Sequence, residues 1–102
     1  MLFIETPSNP LSAEADIAAM AQIGRDIGAI LAVDNCFCSP SQQTPLLLSA
    51  GIVTHSATKY LDWQGSVLGG SLVGSEEFIA LVVAFNRSFG PTMCAFNAWA
   101  RL

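Results

Sequence analysis

The run Ala29-Ile30-Leu31-Ala32-Val33 constrains this chain more than any other stretch, because no polar residue interrupts it and it stops abruptly at Asp34-Asn35. An unbroken apolar run of this length is the mark of a strand covered on both faces, as in the middle of a parallel sheet. The elements around it agree. Leu2-Phe3-Ile4-Glu5 reads as a short buried strand, ended by Pro7 and Pro10. Ser12 is a candidate N-cap for a helix over 13–27, where Ile17, Met20, Ile23 or Gly24, and Ile27 recur at helical spacing before Gly28 stops it. After Ser39-Pro40 a short helix is predicted over 42–50, closed by Gly51, and then a strand, Ile52-Val53-Thr54-His55. The glycine-rich stretch from Gly65 to Gly74 contains a strand-like segment, Leu68 to Val73. Ser75-Glu76-Glu77 is a helix start, a cap followed by two acids at the positive end of the dipole. That helix is expected to halt at Gly90-Pro91, with a last one beginning near Thr92. Such alternation predicts right-handed crossovers and one open α/β layer with a parallel sheet.

The composition suits a layer that is covered elsewhere. Apolar residues make up 52% of the 102 residues and charged ones only 12%, whereas a soluble domain carries about 25% charge. A short chain has a high surface-to-volume ratio and needs more polar surface, not less. The expectation is therefore a partial domain, residues 1–102 of something larger. The net charge of −4, with four scattered Lys or Arg, argues against nucleic acid or an anionic membrane surface as partner. The apolar run from Phe78 to Phe85 is far short of the ~20 residues that span a bilayer. No signal peptide is visible, so a cytoplasmic location is the default expectation. Cys36 and Cys38 are too close for an ordinary disulfide, and the one histidine, His55, lies on another segment. Free thiols and no metal site are expected.

Ligands of open α/β sheets collect beyond the carboxyl ends of the strands. Two such ends carry chemistry here: Asp34 after one strand, and Ser56-Ala57-Thr58-Lys59 after the next. A pyridoxal-phosphate (PLP) site needs a lysine amine for the aldehyde and an acid at the pyridine nitrogen. It also needs hydroxyls and backbone N–H groups for the phosphate. Asp34, Lys59, Ser56 and Thr58 can supply these. Each has an ordinary alternative. Asp34 can be a turn residue, Ser-x-Thr-Lys a helix cap with a solvated lysine, and Asn9 a turn residue between two prolines. Gly65 to Gly70 precedes a strand instead of joining strand to helix, so it does not fit a nucleotide fingerprint. His55 reads as a sheet residue.

Three ordered motifs narrow these alternatives. Glu5-Thr6-Pro7-Ser8-Asn9-Pro10, Val33-Asp34-Asn35-Cys36-Phe37-Cys38-Ser39-Pro40 and His55-Ser56-Ala57-Thr58-Lys59-Tyr60 closely resemble the Cys/Met-metabolism (trans-sulfuration) family of PLP enzymes. Phe89-Gly90-Pro91 through Phe96-Asn97-Ala98-Trp99 resembles the stretch that follows, so the likeness covers essentially the whole chain. The resemblance implies a piece of the large PLP-binding domain of a fold-type I, aspartate aminotransferase-like enzyme, an α/β domain with a mostly parallel sheet and flanking helices, acting as a homotetramer on a small amino-acid substrate. It implies Lys59 as the Schiff-base lysine and proton carrier, and Asp34 at the pyridine nitrogen. It further implies Ser56 and Thr58 on the phosphate, and Asn9 on the ring hydroxyl.

Asp62-x-Gln64-Gly65 resembles the O-succinylhomoserine sulfhydrylases within that family. The implied reaction is γ-replacement: succinate departs, sulfide adds and homocysteine results, as in methionine biosynthesis. Cystathionine γ-synthase and the cystathionine or methionine γ-lyases are the alternatives, and a truncated, non-catalytic remnant is the alternative of another class. Trp63 stands where the family usually has glycine, and Ser66 where the sulfhydrylases usually have arginine. The family's upstream phosphate turn, ring-stacking tyrosine and downstream carboxylate-binding arginine lie outside these residues. The 102 residues alone are therefore expected to lack turnover.

Overall fold

The computed structural model describes residues 1–59, 61 and 65–100. Four strands, β1 (Leu2–Glu5), β2 (Leu31–Asp34), β3 (Ile52–Ser56) and β4 (Gly70–Gly74), form one sheet in the order β1-β2-β3-β4. The first three are parallel and β4 runs antiparallel to β3. The expected mostly parallel α/β layer is therefore present, with the reversal confined to the glycine-rich strand. Parallel pairing there would need a crossover back across the sheet, whereas antiparallel neighbours need only a return connection.

The centre of the sheet lies where the unbroken apolar run falls. Leu31, Ala32 and Val33 are buried, as are Ile52 and Val53 in the neighbouring strand. Val33 and Val53, partners in the register, are 0% and 2% exposed; burying such a side chain stabilises by about 1.5–3 kcal/mol. Helix α1 (Ile17–Asp26) covers one face through Ile17 and Ala21, with Met20 packed at the margin.

The start of α1 departs from the sequence expectation. Ser12 is not its cap: it takes a left-handed backbone (φ 51°) inside a turn, and its N–H donates to the Ser8 carbonyl. Asp16 caps instead, its carboxylate accepting from the Ala19 N–H at 3.0 Å. Asp and Ser are comparable caps. Here the residue next to the first buried apolar position, Ile17, takes the role. The helix end follows expectation. Gly28 (φ 65°) donates to the Arg25 carbonyl and Ala29 to the Gly24 carbonyl, the two bonds of a Schellman motif.

The 42–50 segment forms only a single 3₁₀ turn, Pro45–Leu48, because Pro45 can open a helical turn but Ser49 leaves it with a left-handed backbone. Helix α2 (Glu76–Phe89) begins at Ser75, whose hydroxyl accepts from the Phe78 N–H, and ends at Gly90 (φ 75°). The last helix, α3 (Ala95–Trp99), starts three residues later than Thr92, and Asn97 ties it to the Leu68 carbonyl at 2.9 Å. None of the α2 residues is buried, and Leu81, Phe85 and Phe89 stand exposed. No helix among the described residues is long and apolar enough to cross a membrane.

The Schellman turn folds tightly over α1. A Cβ on Gly24 would lie 2.8 Å from the Ala29 carbonyl oxygen, a backbone atom. Gly24→Ala is therefore expected to destabilise the protein by about 1–3 kcal/mol despite alanine's better helix propensity. Urea unfolding of the two proteins checks this.

Candidate cofactor site

The register of the parallel pair sets the site. Asp34 lies opposite Thr54, so the carboxyl ends of β2 and β3 share one edge of the sheet. Asp34 and the Ser56–Lys59 segment are thereby brought together, as the strand-end reading anticipated. Asp34 is half-buried, and its Oδ1 accepts from the Cys36 N–H at 3.0 Å. A carboxylate can accept further bonds after that one, so this anchored acid retains capacity for a ring N–H.

Across the edge, the Ser56 N–H donates to the Cys36 Sγ at 2.9 Å. Cys36 therefore joins the two strand ends through its backbone on one side and its thiol on the other. Burial, a hydrogen bond to Asp34 and the Asp34 charge push the Cys36 thiol up to about 11. The Ser56 N–H and the Lys59 charge oppose that shift. Asp34 and Lys59 are thus both close enough to act on one sulfur.

After Ser56 the chain turns, with the Lys59 N–H donating to the Ser56 carbonyl at 3.1 Å. Lys59 is exposed, and its Nζ lies 4.3 Å from the centroid of the Phe37 ring. A cation over an aromatic face is attracted by the ring quadrupole, so Phe37 gives the amine a resting position beside the strand ends. Thr58 is bound into the base of the following loop. Its N–H and hydroxyl donate to the Gly69 carbonyl (3.2 and 3.3 Å), and its Oγ1 accepts from the Gly69 N–H at 3.1 Å. A phosphate oxygen can receive the Thr58 hydroxyl proton only in place of the Gly69 carbonyl. Ser56, half-buried, carries its hydroxyl at the end of β3.

Asn9 stands apart from this cluster. It is exposed, its N–H donates to the Glu5 Oε2 at 3.3 Å, and it lines a cleft of about 360 Å³ with Pro7, Ser8, Glu14 and Phe37. Phe37 is the link, since its ring forms part of the cleft wall and also faces the Lys59 amine. His55 is 8% exposed inside β3, with Nδ1 at 3.1 Å from the Asn35 carbonyl. Cys36, Cys38 and Cys94 are free thiols. Among the described residues no group of three or more His, Cys, Asp or Glu could hold a metal. Ser66 is exposed, whereas Tyr60, Asp62, Trp63 and Gln64 lie outside the described residues.

Comparison with known proteins decides among the chemistries this edge could serve. Residues 1–102 match the family described as Cys/Met metabolism PLP-dependent enzyme. The chain belongs to that family. Among the relatives of this family member, an O-succinylhomoserine sulfhydrylase of Pseudomonas aeruginosa is 54% identical over 99 residues, covering 97% of this chain and 25% of the relative. A cystathionine gamma-synthase of Mycobacterium bovis is 46% identical over 100 residues, covering 97% of this chain and 26% of the relative. A solved cystathionine gamma synthase from Xanthomonas oryzae pv. oryzae, in complex with aminoacrylate and cysteine, superposes with a TM-score of 0.94 at 37% identity. The superposition covers 97% of this chain and 26% of that one. The chain thus spans about a quarter of the length of the relatives it matches. PLP is the cofactor of the family, and the acid, amine and hydroxyl at this edge are groups of the kind it requires.

The sequence motifs included Asn35, Cys36 and Phe37 only as lettering, and Gln43 lay outside them. Asn35, Cys36 and Phe37 follow a strand-ending acid, which is a signal that could have nominated them. Gln43 gave none, since it meets the site from a loop. The state of Cys36 is directly testable. With its thiol held protonated up to about 11, alkylation of Cys36 by iodoacetamide should keep accelerating up to that pH, because only the thiolate reacts. Mass-mapped alkylation rates between pH 7 and 11 check this, and a plateau below pH 9 contradicts it.

Proposed function

We propose that this edge holds pyridoxal phosphate and that the protein exchanges the γ-substituent of an activated homoserine for sulfur. The observation that carries the reading is the shared sheet edge, where a parallel register sets Asp34 beside the segment ending in Lys59. Asp34 would accept from the protonated ring nitrogen and keep it charged. Ser56, with Thr58 after release from Gly69, donates to the phosphate. Asn9 reaches the ring side from the cleft that Phe37 shares with Lys59.

When bound, PLP supplies an electron sink for carbanions formed next to the substrate amine. Lys59 does the rest of the proton work. Its Nζ would hold the cofactor aldehyde and, once free, would carry protons to and from the substrate α- and β-carbons. Loss of the γ-substituent would then leave the γ-carbon open to a sulfur nucleophile, which takes the place of the departing group. The remaining groups come from outside these residues, which we read as part of a single PLP-binding domain within a homotetramer.

O-succinylhomoserine with sulfide, giving homocysteine, is the substrate pair we favour, because the 54% identical relative is an O-succinylhomoserine sulfhydrylase. Transfer to cysteine is the second reading, favoured by the 46% identical cystathionine gamma-synthase. Assay of the full-length protein with O-succinylhomoserine and either sulfide or cysteine separates the two. Homocysteine from sulfide, at a rate well above cystathionine from cysteine, is expected. Preferential cystathionine, or 2-oxobutanoate without any sulfur acceptor, contradicts the substrate assignment. Lys59→Ala should lower either activity by at least ~100-fold.

A further inference from the structure

Asn35, just beyond β2, is the one polar residue among the described residues that is 0% exposed, and every polar group it has is used. Its N–H donates to the Thr54 carbonyl at 2.9 Å, and its carbonyl faces His55 Nδ1 at 3.1 Å. A carbonyl only accepts, so Nδ1 carries the proton there. Its Nδ2 donates to the Gln43 carbonyl at 3.1 Å, and its Oδ1 accepts from the Gln43 Nε2 at 2.7 Å. That same Gln43 Nε2 also donates to the Thr6 carbonyl at 2.9 Å. Thr6, just beyond β1 and 2% exposed, donates its N–H to the Asp34 carbonyl at 3.3 Å.

The ends of β1, β2 and β3 therefore converge on one amide pair, next to Asp34. The Asp34–Asn35 peptide is held at both of its polar atoms, its carbonyl by the Thr6 N–H and its N–H by the Thr54 carbonyl. We propose that Gln43 and Asn35 form a latch that positions the Asp34 carboxylate. Gln43 is the distinctive member, because it arrives from the 39–44 connection and spends both amide protons on acceptors belonging to two strand ends. A side chain of equal volume without donors leaves two buried carbonyl oxygens unpaired. The backbone at 34–35 then gains freedom.

The inference rests on Asp34 facing the cofactor ring nitrogen, and the test keeps the two claims apart. A positive ring nitrogen opposes protonation of the nearby Lys59 linkage, so a misplaced Asp34 should raise the pH midpoint of the cofactor's visible absorption change. A merely structural defect lowers cofactor occupancy without moving that midpoint. In the full-length holoenzyme, Asp34→Asn and Gln43→Met should both raise it, the latter by on the order of one pH unit. A shift in Asp34→Asn with none in cofactor-loaded Gln43→Met overturns the latch alone. No shift in Asp34→Asn overturns the reading of Asp34 and the latch with it. Should Gln43→Met fail to load, hydrogen exchange of the Gln43 carboxamide in the unaltered protein decides. Protection comparable with the Asn35 amide supports the latch, and free exchange overturns it.

Discussion

Parallel pairing of β2 with β3 is the constraint on which the remainder of the structure depends. With Asp34 opposite Thr54, the two strands finish on the same edge of the sheet, and an acid and a lysine-bearing turn become neighbours. A slip of β3 by one residue would send Val53 to the other face of the sheet, away from its partner Val33, and carry the groups at the end of β3 with it. The buried pair Val33 and Val53 therefore does two things at once. It stabilises the layer, and it selects the register that assembles the site.

Polar bonding at that edge is dense for a chain with so little charge. Cys36 bridges Asp34 and Ser56, Asn35 bridges Thr54 and Gln43, and Gln43 reaches Thr6. Buried amides and carbonyls left unpaired cost about 1–3 kcal/mol each, so this network holds the strand ends to one arrangement. The opposite flank differs. Helix α2 exposes Leu81, Phe85 and Phe89, and Phe3 stands exposed on β1, in keeping with the excess of apolar over charged residues.

Much of this was legible in the sequence where a local rule decides the outcome. The run up to Val33 marked a doubly covered strand, Gly28 and Gly90 marked helix ends, and Ser75 marked a helix start. Asp34 and Lys59 could be nominated because strand ends in such sheets carry ligands. Local rules failed where two residues competed for one role, as Ser12 and Asp16 did for the α1 cap. They failed again at 42–50, where an apolar pattern suited a helix but the Pro45 and Ser49 backbone allows a single turn. Thr58 and Gln43 depended on distant partners, Gly69 and Thr6, and no periodicity reports a contact of that kind.

Reductive trapping of the cofactor tests the central claim most directly. The protein is loaded with pyridoxal phosphate, reduced with borohydride, digested and mapped by mass. The account predicts a pyridoxyl group confined to Lys59, absent in Lys59→Ala and weakened in Asp34→Ala. Label on another lysine of the full-length protein, or equal label in Lys59→Ala, would contradict it.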